Sequence, residues 1–407
     1  MMTSLPGALD LTNYPAFSAA LFERMRQFNA ALGDLELYEF RYGLDNLTPE
    51  SGWQSVDCLN ADSLLELIHL PQFYETVELK PKKDGRIVLD EKIVWLSRIL
   101  MVGLATGTYS PEWIDRHFYF DVRGFFFLVR TEYFSSRIMA RFGGSPYALF
   151  SPAQKQLEAL QDLGFKEFDA ANRSINRAFI GTLQALIAAH STPLLLAIVG
   201  PSAAGKTEIV AQLSRDLAAA GKSITTIEMD HFYKDREFRD GKPMNEEIIH
   251  FSLFTQCIEK LLSGQLAFMP RYDFVEANSS HDLDGNLRPG QTMIRVEPAD
   301  ILLLEGNFPF HIPQIAPWIG IKVVYLTDDP VRLKRKWRRD VDYRKKYDPR
   351  YLCNRYFRTQ FLRAQEVYLP MMETCDIVVD TTGAALWLTP DAAAIAGKTA
   401  TPDDILA

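Results

Sequence analysis

The chain changes rhythm once, near residue 190. Before that point apolar positions recur at helical spacing in PAFSAALFERMRQFNAAL, SLLELIHL, EKIVWLSRILMVGLA and INRAFIGTLQALIAA, the one-sided stripe with which a helix covers a core. These segments predict a mainly helical domain over residues 1–190. GRIVLDEK and the aromatic block around Phe125 are candidate strands within it. SPAQKQ at Ser151 reads as a helix start, and HSTP at His190 marks the boundary.

From Pro193 onward short apolar runs (LLLAIV, SITTIEM, DILLLEG, IKVVYLT, CDIVVD) alternate with helical stretches such as TEIVAQLSRDLAAAG and PVRLKRKWRRDV. Continuous apolar strands separated by helices predict an α/β domain over 191–385, a parallel sheet with helices on both faces. The remainder, 386–407, is rich in small residues and proline, which predicts a flexible tail or at most a short docking helix.

Composition narrows the setting. A chain of 407 residues, 47% hydrophobic and 24% charged, has room for two cores. Its net charge of -8 argues against a general nucleic-acid surface, so any anion site must be built locally. Cys58, Cys257, Cys353 and Cys375 form no CxxC pair, which points away from zinc and disulfides and toward a reducing, cytoplasmic setting. MMTSLPGALDLTNYP lacks the basic start and apolar core of a signal peptide. The greasiest segment, FYFDVRGFFFLV, contains Asp121 and Arg123 and is too short to cross a membrane.

The chemistry begins where LLLAIV meets GPSAAGKT. A buried strand, a glycine-containing turn and a helix opening at Lys206 are the parts of a P-loop. In such a loop, running from Gly200 through Pro201, Ser202, Ala203, Ala204 and Gly205 to Lys206, the two glycines let backbone N–H groups converge on phosphate oxygens. The helix end adds its dipole, Lys206 brings a full charge to the β and γ phosphates, and the Thr207 hydroxyl is a ligand for Mg²⁺. The candidate cofactors are ATP or GTP with Mg²⁺. Two further strands end in carboxylates, SITTIEMD in Asp230 and DILLLEG in Glu305, at the edge where an open α/β sheet places its ligands. One suits a general base for an acceptor hydroxyl and the other a metal partner. Taken singly, an aspartate after a strand is more often a turn or a helix cap; together with the loop, the functional reading is favoured.

At this point the sequence resembles the uridine kinase and phosphoribulokinase group of P-loop kinases, and within it uridine-cytidine kinases. GPSAAGKT, MDHFYKD, MPRYDF, ADILLLEG, LKRKWRRDVDYR and YLPMMETCDIVV follow in the family's order from about Leu194 to Thr382. The resemblance implies that Asp230 accepts the proton of the acceptor hydroxyl, with Tyr233 after it. It implies that Tyr272, Asp273 and Phe274 lie on a hairpin that walls the acceptor pocket. The basic run from Arg332 to Arg350 resembles the family's lid, with Arg335, Arg339 and Arg344 in the places of its phosphate-facing arginines and Lys346 near another. A solvated helix face is the alternative for these side chains.

Three departures from the family pattern concern the acceptor. The turn after YDF is longer than usual, with Ala277 where a histidine is expected and Asn278 or His281 as substitutes. PMNEEIIHFSLF replaces the block that supplies a ribose-binding aspartate, leaving Glu246 or Glu247 for that role. Asn354 is the nearest match to a pyrimidine-reading glutamine. The expectation is a kinase acting on a primary hydroxyl of a small acceptor, a nucleoside or a related metabolite. A sugar-phosphate or polyol kinase and a nucleotide-binding regulator without kinase activity are the alternatives. The family is often oligomeric, which leaves a homo-oligomer open, and the extra domain could alter that; no nucleic-acid or membrane partner is expected. The aromatic block FFFLVRTEYFSSRI reads as core or as a ligand or partner surface.

Overall fold

The structure, a computed structural model, describes residues 9–70, 73, 77, 80–81, 87–122, 124–150, 165–339 and 363–397. They form two compact units. One gathers described residues from 9–132, 165–168 and 328–339, the other those from 133–150, 169–327 and 363–397.

In the first unit the helices Tyr14–Met25, Leu37–Asp45, Ala61–Ile68, Glu91–Thr106 and Pro111–His117 surround an apolar core that includes Phe17, Leu21, Phe40, Leu96 and Leu100. Their starts are capped locally. The side chains of Asn13, Asn60, Asp90 and Ser110 each accept a hydrogen bond from a first-turn N–H, which satisfies donors that the helix cannot. Both strand candidates are present. Ile87–Val88 pairs with Lys80–Pro81, and the aromatic block folds as an antiparallel hairpin of Phe118–Asp121 against Phe126–Val129. Phe118, Phe120, Phe126 and Phe127 are buried in that core, which is the core reading of the aromatic run.

The basic helix Asp329–Trp337 belongs to this unit as well. Leu333 and Trp337 pack into its core. Arg332 is completely buried and ion-paired to Asp329, which also accepts from the Thr131 hydroxyl, while Arg130 pairs with Asp328. Part of the run expected as a solvated or phosphate-facing surface is thus a buried ionic anchor. The helix start predicted at Ser151 lies outside the described residues.

The second unit is built on seven strands: β1 (Ala148–Leu149), β2 (Leu194–Val199), β3 (Ile224–Glu228), β4 (Ile301–Gly306), β5 (Ile321–Leu326), β6 (Ile377–Asp380) and β7 (Ala385–Leu388). They are ordered β1-β7-β6-β5-β2-β4-β3. The run from β3 to β6 is parallel, and β7 and β1 close one edge antiparallel. Every residue of β2 is buried, as a central strand covered on both faces requires. The α/β prediction and its strands therefore hold.

Two boundaries differ from the sequence reading. Residues 386–388, expected in the tail, form most of β7. Leu386 and Leu388 face one core of the sheet, Trp387 stacks on Phe134 at 4.7 Å, and the helix Pro390–Ile395 follows. The helical stretch INRAFIGTLQALIAA, expected in the first domain, covers the sheet instead: Ile175, Phe179, Ile180 and Leu183 join Leu194, Leu196, Ile198 and Leu303 in one cluster. No helix among the described residues is long and apolar enough to cross a membrane.

Candidate active site

The turn Gly200–Gly205 leaves β2 and opens the helix Lys206–Ala219, which buries Ile209, Val210, Leu213 and Leu217. Gly205 takes φ +102° and Ala203 φ +67°, left-handed conformations that turn the chain sharply before the helix. Gly200 answers a different need: a Cβ there would lie 2.1 Å from the Tyr325 carbonyl oxygen on β5. The Thr327 hydroxyl donates to the Ala204 carbonyl at 2.8 Å and ties the turn to the end of β5. Lys206 is buried, and its Nζ donates to the carbonyls of Gly200 (2.8 Å) and Pro201 (3.2 Å), so its ammonium lies over the loop.

Sheet register brings the carboxylates to this turn. Glu305, near the end of β4, is paired with Ile198 on β2 on one side and with Glu228 on β3 on the other. Thr207 Oγ1 donates to Glu305 Oε1 at 2.8 Å. Burial pushes the Glu305 carboxyl above its ordinary pKa, Lys206 and the Thr207 hydrogen bond pull it down, and Asp230 and Glu228 push it up again. A carboxylate made costly to ionise in this way is one that a cation would stabilise.

Asp230 sits on the 3₁₀ turn Met229–Phe232 that follows β3. Gly306 permits this closeness, since a Cβ there would lie 2.6 Å from the Met229 Cβ. Asn307 bridges the next pair: its Nδ2 donates to the Tyr233 hydroxyl at 2.9 Å and approaches Asp230 Oδ1 at 3.4 Å. Tyr233 is buried, and burial raises its hydroxyl well above the ordinary tyrosine pKa, with Asp230 adding to the rise. It therefore stays a neutral phenol.

The predicted hairpin is present. Tyr272 is buried, Phe274 is 42% exposed, and their rings lie 5.3 Å apart on the short hairpin Tyr272–Asp273 with Asn278–Ser279. His231 Nδ1 accepts from the Tyr272 N–H at 3.2 Å, and burial lowers its pKa. Ala277, in the histidine position of the family pattern, has φ +59°, and its carbonyl accepts from the Arg236 N–H. His281 is buried among hairpin contacts, with Nδ1 2.9 Å from the Ser280 hydroxyl. Asn278 pairs with Asp273 in the hairpin. Glu246 lies half-buried on the turn Glu246–Ile248, close enough to His311 to act on its charge, while Glu247 is exposed and paired with Lys242.

The arginines divide. Arg335 and the half-buried Arg339 belong to the first unit, on and just beyond the helix Asp329–Trp337. Arg344, Lys346 and Asn354 lie outside the described residues. Three further residues near Tyr233 escaped the sequence reading: Asn307, Arg239 and Arg363. Asn307 had a signal, since it directly follows the LLLEG strand end. Arg239 and Arg363 had none, because only the fold brings each near enough to Tyr233 to interact with it. The Arg239 guanidinium lies 4.3 Å from the Tyr233 ring centre and donates to the Tyr272 hydroxyl at 2.6 Å.

A strand, a phosphate-type loop with its lysine, a threonine bonded to a strand-end glutamate and a second strand-end aspartate thus stand at one sheet edge. Residues 195–385 match the Phosphoribulokinase / Uridine kinase family. The matched region contains every one of these residues. It is similar to the uridine kinase of Leuconostoc citreum, 29% identical over 37% of this chain and 70% of that protein. It is also similar to uridine kinase-like protein 4 of Arabidopsis thaliana, 27% identical over 46% of this chain and 35% of that protein. Among solved structures, a possible uridine kinase from Bacillus stearothermophilus aligns at 20% identity with a TM-score of 0.32, covering 46% of this chain and 89% of that one. The residues before 195 have no counterpart in the family match.

Proposed function

We propose that the protein is an ATP- or GTP-dependent kinase that transfers the γ-phosphoryl group to a primary hydroxyl of a nucleoside or related hydroxylated metabolite. The observation that carries this reading is the Lys206–Thr207–Glu305–Asp230 arrangement, in which a phosphate loop and two carboxylates share one sheet edge. Lys206 and the loop amides hold the β and γ phosphates. Asp230 takes the proton from the acceptor hydroxyl, while Tyr233, Tyr272, Phe274 and Glu246 shape the acceptor site. Arg339 and Arg344 serve as lid residues that spread charge over the transferred group. The chemistry asks little covalent work of the protein; positioning and charge supply the rate.

The donor set at Thr207 and Glu305 suits Mg²⁺, a hard cation that takes oxygen ligands. Among the described residues no cluster of three or more His, Cys, Asp or Glu side chains could hold a metal. Phosphate oxygens and water would therefore complete its shell, the ordinary arrangement for Mg²⁺ beside a nucleotide. When bound, the ion neutralises charge that builds between the β and γ phosphates.

The test is consumption of Mg·ATP and Mg·GTP against nucleosides, sugars, sugar phosphates and polyols, with products identified by mass. Acceptor-dependent ADP or GDP release that Asp230→Asn abolishes, with nucleotide binding retained, is the expected result. Nucleotide binding without transfer to any acceptor would instead favour a regulatory nucleotide-binding role.

A further inference from the structure

The acceptor wall carries positive charge that the kinase chemistry described so far does not use. Arg239 donates through Nε to the Lys234 carbonyl at 2.7 Å and through Nη2 to the Tyr272 hydroxyl at 2.6 Å. Its guanidinium carbon lies 4.3 Å from the Tyr233 ring centre and 5.2 Å from that of Tyr272. All these partners are neutral. Arg363, half-buried, lies close enough to Tyr233 and Arg239 for their charges to act on it. Burial, and less strongly Arg239, lower its pKa, while Tyr368, Tyr233 and the exposed Glu366 raise it. Neither guanidinium forms an ion pair with a carboxylate among the described residues. Asp230, which acts on the same Tyr233, is bonded toward Asn307. Like charges held together in a half-dry site raise one another's energy, and arginines in such positions usually have an anionic partner.

We infer that the acceptor carries an anionic group, a phosphate or a carboxylate, which the Arg239 and Arg363 guanidiniums receive while its hydroxyl lies at Asp230. This rests on the kinase reading above and selects within it. The fork of Arg239 is already fixed on one side by the Lys234 carbonyl and lies over the Tyr233 ring, so little conformational freedom is lost when it donates to both oxygens of an oxyanion. An uncharged nucleoside offers these two groups nothing of comparable strength. The altered surroundings of this pocket, Ala277 in place of a histidine and the Glu246–Glu247 turn in place of a ribose-binding aspartate, fit a different acceptor.

The experiment pairs binding with turnover. The full-length protein is titrated calorimetrically, in the presence of Mg²⁺ and a non-hydrolysable ATP analogue, with glycerol, glycerate, glycerol 3-phosphate, ribose, ribose 5-phosphate and uridine. The same compounds are offered as acceptors with Mg·ATP, and both series are repeated with Arg239→Gln and Arg239→Lys. The expected result is that at least one anion binds and its uncharged counterpart does not. Glycerate against glycerol 3-phosphate distinguishes carboxylate from phosphate. Arg239→Gln weakens that anion by about thirtyfold or more, the loss expected for a charge-assisted pair, and Arg239→Lys recovers part of it. The loss appears in acceptor KM rather than in kcat, and binding of the ATP analogue is unchanged, which shows that the variant is folded. Binding and phosphorylation of uridine by wild type and Arg239→Gln alike would overturn the inference and leave the kinase reading standing. So would failure of every anion to bind a protein that still binds the ATP analogue. Loss of kcat with unchanged acceptor KM would assign Arg239 to the transferred phosphoryl group instead, also overturning it. A protein that binds no nucleotide would overturn both readings.

Discussion

Gly200→Ala is the substitution whose consequence the structure defines most directly. The added methyl group would lie 2.1 Å from the Tyr325 carbonyl oxygen and 3.2 Å from its carbonyl carbon. Ordinary contacts of this kind begin above 3 Å, so something must move by roughly 1 Å. Tyr325 cannot be what moves. It lies in β5, which is paired on both sides by β2 and β6, and its buried ring is held by a 2.8 Å hydrogen bond to Asn176. The turn must give way, carrying with it the Gly200 and Pro201 carbonyls that position Lys206. A misplacement of about 1 Å at a phosphate-binding loop costs on the order of 100-fold in turnover, while overpacking costs the fold about 1–3 kcal/mol. The assay is ATP binding by calorimetry together with acceptor-dependent turnover and a thermal melt. The expected outcome is a protein that melts cooperatively a few degrees lower and loses at least about 100-fold in kcat/KM. Turnover and ATP affinity within about threefold of wild type would refute the claim that β5 fixes the height of the loop.

Gly181→Ala is the matching control: Gly181 is exposed within the helix Phe165–Ala188, nothing lies within 4 Å of its Cβ position, and the change should stabilise by about 0.5–1 kcal/mol in a denaturant titration without affecting turnover. Asp230→Asn should lower kcat by about 10²- to 10⁴-fold at unchanged ATP affinity if its carboxylate takes the hydroxyl proton; an unchanged kcat rejects the assignment. His250 is buried against the Ser279 hydroxyl, and burial, reinforced by His281, lowers its pKa to about 4. The folded state therefore binds fewer protons than the unfolded chain between pH 6.5 and about 4, so stability present at neutral pH falls through that window by up to about 3 kcal/mol. His250→Gln should flatten this part of the stability-versus-pH curve measured by urea titration, and an undiminished slope would place its origin elsewhere.

Much of the second unit was legible because its determinants are local. A continuous apolar run such as LLLAIV can only be satisfied with both faces covered, which makes it a central strand, and GPSAAGKT carries its turn geometry in its glycines and its charge in Lys206. Asp230 and Glu305 were legible as strand ends. Their meeting follows from register, which pairs Glu305 with both Ile198 and Glu228. The places where the reading failed were decided by surfaces far apart in the chain. LWL looked like the start of a loose tail because the residues after it are small, yet Ala385–Leu388 adds an antiparallel strand whose Trp387 finds Phe134, more than two hundred positions away. The helix around Phe179 was assigned by its position in the chain to the first domain, whereas its apolar face matches the uncovered side of the sheet.

The basic run shows the same division most clearly. PVRLKRKWRRDV read as a helical stretch, and the family resemblance put Arg335 and Arg339 in phosphate-facing places. Only the fold decided that Arg332 is sealed in an ion pair with Asp329 while Leu333 and Trp337 fasten the helix into an apolar core. By itself the sequence determined the elements, the glycine turn with its lysine and the carboxylates that end its strands, since periodicity and turn chemistry act over a few residues. The tertiary structure alone decided that Asn307, Arg239 and Arg363 gather around Tyr233, because burial and charge pairing are properties of side chains brought together by packing and not of their spacing along the chain.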